Sequence, residues 1–213
     1  MDANYWKLKW EENDIRFHQD QTNPLLEKYF QSVKGQSVFV PLCGKSRDMD
    51  WLVEQGMTVV GVELSELAVR SFFAERESAF LEKEQHGFRV FESKNLVIWC
   101  GDIFALPAYA VSNCSLVYDR AALIALPQAM RERYAEKLGE LFPRKLSMLL
   151  ITLEYPQGEV KPPPFSVDAE NVNALFGKFF RIDELVRLIV GEARNPKFNG
   201  ISPLVEPVYL LTK

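Results

Sequence analysis

SVFVPL at residues 37–42 and TVVGVE at residues 58–63 flank the segment DMDWLVEQ, residues 48–55, which is followed by Gly56. The two outer runs are short, valine-rich and apolar on consecutive positions. That pattern fits strands buried on both faces, as in a parallel sheet. The segment between them reads as a helix closed by Gly56, because glycine takes the left-handed conformation that ends helices at low cost. Strand, helix and strand in this order make a crossover unit joining parallel strands.

The alternation extends in both directions. Before the first strand, Pro24 to Ser32 reads as a helix, with Asn23 as N-cap and Pro24 at the first helical position. After the second, Ser65 opens a helix running to about Ser78, with Ser65 and Glu66 suited to its first turn. Strands follow at Leu96 to Cys100 and Ser115 to Tyr118, then a helix at Met130 to Leu141 and a strand at Leu146 to Glu154. A helix at Asp168 to Phe176 and a strand at Val205 to Thr212 close the chain. Strands alternating with helices at this spacing predict a single domain, residues 1–213, with a three-layer α/β fold and a mostly parallel sheet. Ligands on such sheets bind at the carboxyl ends of the strands.

Composition narrows the function. The net charge of −4 and the isoelectric point near 5.4 argue against a surface that tracks phosphates, so no nucleic-acid partner is expected. No apolar stretch reaches the ~20 residues of a membrane span. Residues Met1 to Glu12 carry acids and lack the apolar core of a signal peptide, which makes the cytoplasm the expected location. Cys43, Cys100 and Cys114 match no zinc or disulfide spacing and read as small buried hydrophobes in a reducing compartment. No metal site is expected. The Pro162-Pro163-Pro164 run reads as a stiff connection, and nothing demands more than a monomer.

The strand ends carry the chemistry. Gly44-Lys45-Ser46 resembles the tail of a phosphate-binding loop, but such a loop needs a glycine at position 39, which is Phe39 inside the strand. The single glycine of this turn also leaves no dinucleotide fingerprint, so NAD and FAD are disfavoured. Glu63 ends the second strand, where a carboxylate can accept hydrogen bonds from both ribose hydroxyls of a nucleoside. The alternative is a solvated carboxylate at a strand end. Gly101-Asp102-Ile103-Phe104 suits the apolar slot and polar rim of an adenine site, or else a loop packing Phe104 into the core. Asp119-Arg120 offers a cation to a carboxylate or ring, or else a surface ion pair. A ribose-binding acid, an adenine-compatible loop and a cation without a phosphate cradle suit a nucleoside cofactor lacking phosphates. S-adenosylmethionine is the common one.

At this point the residues resemble the thiopurine S-methyltransferase family, particularly its bacterial members. The match is carried by Trp6, Trp10 and Phe17-His18-Gln19, by Val40-Pro41-Leu42-Cys43-Gly44-Lys45-Ser46, and by Val60-Gly61-Val62-Glu63-Leu64-Ser65-Glu66. Tyr118-Asp119-Arg120-Ala121-Ala122, Pro163-Pro164-Phe165 and Tyr209-Leu210-Leu211 continue it in the family's order. The resemblance implies a Rossmann-like, S-adenosylmethionine-dependent methyltransferase fold with an antiparallel C-terminal strand. It implies that the cofactor touches Trp10, the backbone at Leu42 and Gly44, Glu63, the loop at Ile103, and Arg120. Residues 1–35 would form a lid over the cofactor, with Trp6, Trp10 and Phe17 lining the site and Phe17 at the substrate. Near the C-terminus the family's Arg-His pair is missing, and Arg194 and Phe198 are the residues placed to act there, Arg194 toward the substrate.

The acceptor implied is the sulfur of a thiopurine or related aromatic or heterocyclic thiol, with selenium or tellurium compounds as further small-molecule acceptors. A low-pKa thiolate or selenolate needs alignment more than a base, which suits a chain with only His18 and His86 and no evident catalytic dyad. No catalytic residue is assigned beyond Arg120 as an electrostatic candidate. Two competing readings are a methyltransferase of the same fold acting on halide, thiocyanate or another small acceptor, and a nucleoside-binding module without catalysis.

Overall fold

The computed structural model describes residues 3–30, 36–156, 158–190 and 196–213. The chain falls into two compact units, Met1–Val117 and Tyr118–Lys213.

The first unit opens with helices α1 (Ala3–Glu11) and α2 (Pro24–Tyr29). The side chain of Asn23 accepts from the Leu25 N–H at 2.9 Å and Pro24 occupies the first turn, as the sequence implies. The last part of the expected helix, residues 31–32, lies outside the described residues. Strand β1 (Ser37–Pro41), helix α3 (Asp48–Glu54) and strand β2 (Thr58–Glu63) form the expected crossover. Helix α4 (Glu66–Ala74) follows, its N-terminus capped by Ser65, whose hydroxyl accepts from the Ala68 N–H at 3.3 Å. It buries Ala68, Val69, Phe72 and Phe73, the one-face spacing of a helix laid on a sheet.

Strands β3 (Leu81–Gln85) and β4 (Phe88–Ser93) form a hairpin ahead of β5 (Leu96–Cys100). Nothing in the sequence marks β3: LEKEQ has no apolar face, and the strand is exposed along its length apart from the half-buried Gln85. Phe80, Phe73 and Phe91 hold the hairpin to α4, with ring centroids 4.7 and 5.4 Å apart around Phe80. The strand order is β3-β4-β5-β2-β1, with β6 (Leu116–Arg120) beside β1. The ladders β5-β2, β2-β1 and β1-β6 are parallel, and the hairpin adds antiparallel ones. The register sets Glu63 opposite Cys100 and Pro41 opposite Val62, so the carboxyl ends of β1, β2 and β5 finish side by side.

In the second unit, α5 (Gln128–Leu141), β7 (Ser147–Ile151), α6 (Ala169–Phe176) and β9 (Val205–Thr212) stand where the sequence places them, and Asp168 caps α6. Strand β8 (Arg181–Ile189) was not expected. Four of its five apolar residues, Ile182, Leu185, Val186 and Ile189, fall at helical spacing, and a shift in pairing between Glu184 and Val186 lets them form a strand. Strand β9 lies between β7 and β8 and runs antiparallel to both. The expected strand end at Glu154 is a continuation of this pairing, an isolated bridge to Val205.

Candidate active site

The site in the first unit begins where β1 ends. Leu42 (φ 46°) and Gly44 (φ 52°) both take left-handed backbone, so the chain turns sharply after Pro41. Glycine at 44 answers two demands. It accepts the positive φ, and a Cβ there would stand 3.0 Å from the ring of Trp10. Trp10, 7% exposed, lies directly over this turn, with Phe17 edge-on to it at 5.5 Å and to Trp6 at 5.6 Å. The three aromatic residues expected from the N-terminal segment are therefore one cluster, and Trp10 belongs to the turn.

Glu63 ties the turn to the next strand end. One carboxylate oxygen accepts from the Gly44 N–H at 2.9 Å and the other from the Ser65 N–H at 2.8 Å. The side chain is 6% exposed, so the reading of a solvated carboxylate does not hold. Burial pushes its pKa up, while the backbone N–H groups of Ser65, Gly44 and Leu64 pull it down. The Gly101 N–H donates to the Glu63 carbonyl at 2.8 Å, which joins the end of β5 to the same point. Each carboxylate oxygen carries one of these two bonds, and a carboxylate oxygen can accept more than one. Two aligned acceptors on a fixed carboxylate fit a pair of vicinal hydroxyls, and the phosphate-free turn beside them fits a nucleoside without phosphates.

Ile103 is buried in a 3-10 turn, Ile103–Ala105, capped by Asp102, whose carboxylate accepts from the Phe104 N–H at 3.0 Å. Phe104 is only half-buried, so the residue this loop sends into the core is Ile103. A cavity of about 700 Å³ opens beside these strand ends, lined by Lys7 of α1, Leu64 and Ser65 after β2, the hairpin turn at His86–Gly87, and Gly101. Glu63 itself does not line it. Of this wall the sequence marks only the turn, where His86 (φ 49°) stands beside Gly87 (φ 78°), and nothing marks the strand β3 that leads into it.

Lys45 and Ser46 are structural. Lys45 pairs with Glu75 at 2.5 Å, and the Ser46 hydroxyl accepts from the Asp48 N–H at 3.2 Å. His18 stands 3.6 Å from Asp20, and its pKa is lowered by burial and by the charge of Lys45, so it is neutral at neutral pH. Burial raises all three cysteine thiols, Cys100 to about 11 and Cys114 to about 12, which keeps them protonated. Among the described residues no group of His, Cys, Asp and Glu is arranged to hold a metal, and no helix is long and apolar enough to cross a membrane.

In the second unit, Asp119 and Arg120 are the last residues of β6 rather than a loop after it. Asp119 is fully buried, which removes the reading of a surface ion pair. It accepts from the Tyr134 hydroxyl at 2.6 Å and from the Leu123 N–H at 3.1 Å, and Arg120 remains half-buried. Phe198 packs into a cluster with Leu153, Tyr155, Val160 and Leu204, its ring 5.4 Å from Tyr155, so it is a core residue. Arg194 lies outside the described residues. Phe165 is set by its N–H to the Ile124 carbonyl at 2.7 Å, with the Arg131 guanidinium 5.8 Å from its ring.

The family described as thiopurine S-methyltransferase matches residues 1–213, the whole chain. The chain belongs to this family. A thiopurine S-methyltransferase of Pseudomonas entomophila is 46% identical over 219 aligned positions, covering 100% of both chains. One of Xanthomonas campestris pv. campestris is 42% identical with the same coverage. Among solved structures, the 1,6-didemethyltoxoflavin-N1-methyltransferase of Burkholderia thailandensis, with 1,6-didemethyltoxoflavin and S-adenosylhomocysteine bound, superposes with a TM-score of 0.67. It shares 15% identity and the match covers 99% of this chain and 86% of that one. The magnesium protoporphyrin IX methyltransferase of Synechocystis, with bound S-adenosylhomocysteine, gives 0.63 at 12% identity over all of both chains. The fold is thus the Rossmann-like methyltransferase fold, with a mixed α/β sheet. The family's enzymes are S-adenosylmethionine-dependent methyltransferases, and this chain is one of them.

Proposed function

We propose that the chain methylates the sulfur of thiopurines or related aromatic and heterocyclic thiols, with selenium and tellurium compounds as further acceptors. The observation that carries the cofactor half is the Glu63 carboxylate held between the Gly44 and Ser65 N–H groups. The acceptor half is supported by full-length relatives named thiopurine S-methyltransferase.

On this reading Trp10, Leu42, Gly44, Glu63 and Ile103 hold the cofactor, with Arg120 as a further contact. Glu63 takes the ribose hydroxyls and Trp10 closes over the turn at Gly44, excluding water. Bound, S-adenosylmethionine supplies a methyl group on a positively charged sulfonium, which leaves a neutral thioether. The protein then has to align the acceptor and keep it anionic. No general base is required for a thiolate, and the cysteine thiols, held protonated by burial, are not poised as one. Arg120 supplies the positive charge that favours the anionic acceptor, while Phe17 and Arg194 contact it. Residues 1–35 act as a lid, residues 1–213 are a single methyltransferase domain, and the enzyme acts as a cytoplasmic monomer.

The test is incubation of the purified protein with methyl-labelled cofactor and an acceptor panel: a thiopurine, an aromatic thiol, selenite, tellurite, thiocyanate and iodide. The expected product is the S-methyl thiopurine or thiol. Turnover confined to thiocyanate or iodide would replace the acceptor, and cofactor binding without any methylated product would leave a nucleoside-binding module.

A further inference from the structure

The two residues that end β6 alternate across the strand and meet different surroundings. Arg120 is half-buried, whereas Asp119 and Tyr134 are both 0% exposed. Each oxygen of the Asp119 carboxylate has its own donor: the Leu123 N–H at 3.1 Å for one, the Tyr134 hydroxyl at 2.6 Å for the other. Between Arg120 and Leu123 the chain passes through Ala121 at φ 65°, left-handed backbone that a residue with a Cβ rarely adopts. The reversal therefore begins immediately after Arg120, and the carboxylate closes it from inside while tying it to α5. Burial pushes the Asp119 carboxyl up to about 6, against the pull of Tyr134 and of the Leu123 and Ala122 amides. An ionisable group is held here at a site where an apolar side chain would be cheaper to bury.

We infer that Asp119 is a positioning residue: through Leu123 and Tyr134 it fixes the backbone from which Arg120 extends, and so sets how the Arg120 charge is presented to the methyl acceptor. The inference rests on the reading of Arg120 given above. Arg120 is the residue that acts on the acceptor, and Asp119 works through it. A group that only stabilised the fold would change melting temperature without depending on the presence of Arg120.

The test is a double-mutant cycle with R120A, D119N and D119N/R120A, read as kcat/KM for an aromatic thiol at saturating cofactor. D119N preserves shape and one acceptor oxygen but removes the second. It is expected to lower kcat/KM about tenfold, the order of effect that sub-ångström misplacement of a charge produces. In the R120A background the same substitution is expected to cost less than twofold. If the two losses multiply, or if D119N lowers only the melting temperature, the inference is overturned. If R120A alone turns over at the wild-type rate, the fault lies in the reading of Arg120, and the inference falls with it. Should D119N fail to fold, Y134F replaces it, since that change removes one of the two bonds. Its smaller loss should likewise vanish in the R120A background, and a loss that persists there overturns the inference.

Discussion

Glu63 holds two backbone N–H groups, and the same carboxylate is proposed to hold two hydroxyls, so its removal has two separable consequences. Glu63→Ala should weaken cofactor binding by about 1.5–3 kcal/mol, the worth of hydrogen bonds to a charged group. Titration calorimetry with S-adenosylhomocysteine reads this directly, and an unchanged affinity would refute the ribose assignment. Asp119 makes a different prediction, through pH. Its carboxyl is raised to about 6 by burial, while the unfolded chain releases the same proton near the usual ~3.9. Between those values the native state binds more protons than the unfolded one, so this group's contribution to stability falls as pH rises from about 4 to about 6. Two pH units correspond to about 3 kcal/mol as an order of magnitude. Carboxyls lowered by their partners, Asp14, Glu66 and Asp168, move the whole protein the other way, so the readout is a difference. Urea denaturation of wild type and D119N at pH 4, 5, 6 and 7 should show the wild type's relative advantage shrinking over that range. A pH-independent gap would show that Asp119 is ionised throughout.

At the level of elements, what the sequence reveals depends on whether an element carries its own local signal. Asn23, Ser65 and Asp168 are N-caps whose side chains accept from backbone N–H groups two or three residues ahead; Asn23 and Ser65 are readable because their residue type stands before a helical pattern, whereas Asp168, read as the first helical residue, is the cap one position before it. Strands β1, β2 and β5 are readable because burial on both faces leaves an unbroken apolar run. Strand β3 has no such run, since it is a charged edge whose partner is the next strand of its hairpin. Strand β8 misleads because its apolar residues repeat at helical spacing, and pairing with β9 overrides that local pattern. Of the cavity wall at the β3–β4 turn, His86 beside Gly87 marks the loop, and the strand leading into it is illegible for the reason given for β3. Asn23 supports two things at once, as it caps α2 and its own N–H donates to buried Asp48 at 2.7 Å. Asn23→Ala keeps the N–H bond to Asp48 but removes the cap together with the long Nδ2–H bond to Gln19 Oε1 at 3.5 Å, and should cost about 1 kcal/mol. A chemical denaturation midpoint unchanged from wild type would show that α2 holds without it.

For the molecule as a whole, the family could be read from blocks spread along the chain, because several of them, at Pro41–Ser46, Glu63–Glu66 and Asp119–Ala122, sit at a strand end or a turn where backbone geometry and ligand chemistry restrict the residue. The acceptor is less legible. Its candidate residues, Phe17, Arg120 and Arg194, stand far apart in sequence, and no local pattern states which groups they face. Cofactor binding, by contrast, has a consequence for the entire fold that needs no knowledge of the acceptor. A ligand that binds only the native state at one hundred times its dissociation constant adds about 2.7 kcal/mol to stability. For a chain of 213 residues that is roughly 5–10 °C in melting temperature, at about 2–4 °C per kcal/mol. S-adenosylhomocysteine should produce this shift with wild-type protein, and NAD should produce none, because the single-glycine turn at Gly44 gives a pyrophosphate no close approach. Gly44→Ala sharpens the test. Its Cβ would meet Trp10 at 3.0 Å and its backbone would be held at an unfavourable φ, so both the unliganded melting temperature and the ligand-induced shift should fall. A lower melting temperature with the full shift retained would confine Gly44 and Trp10 to packing and take the turn out of the cofactor site.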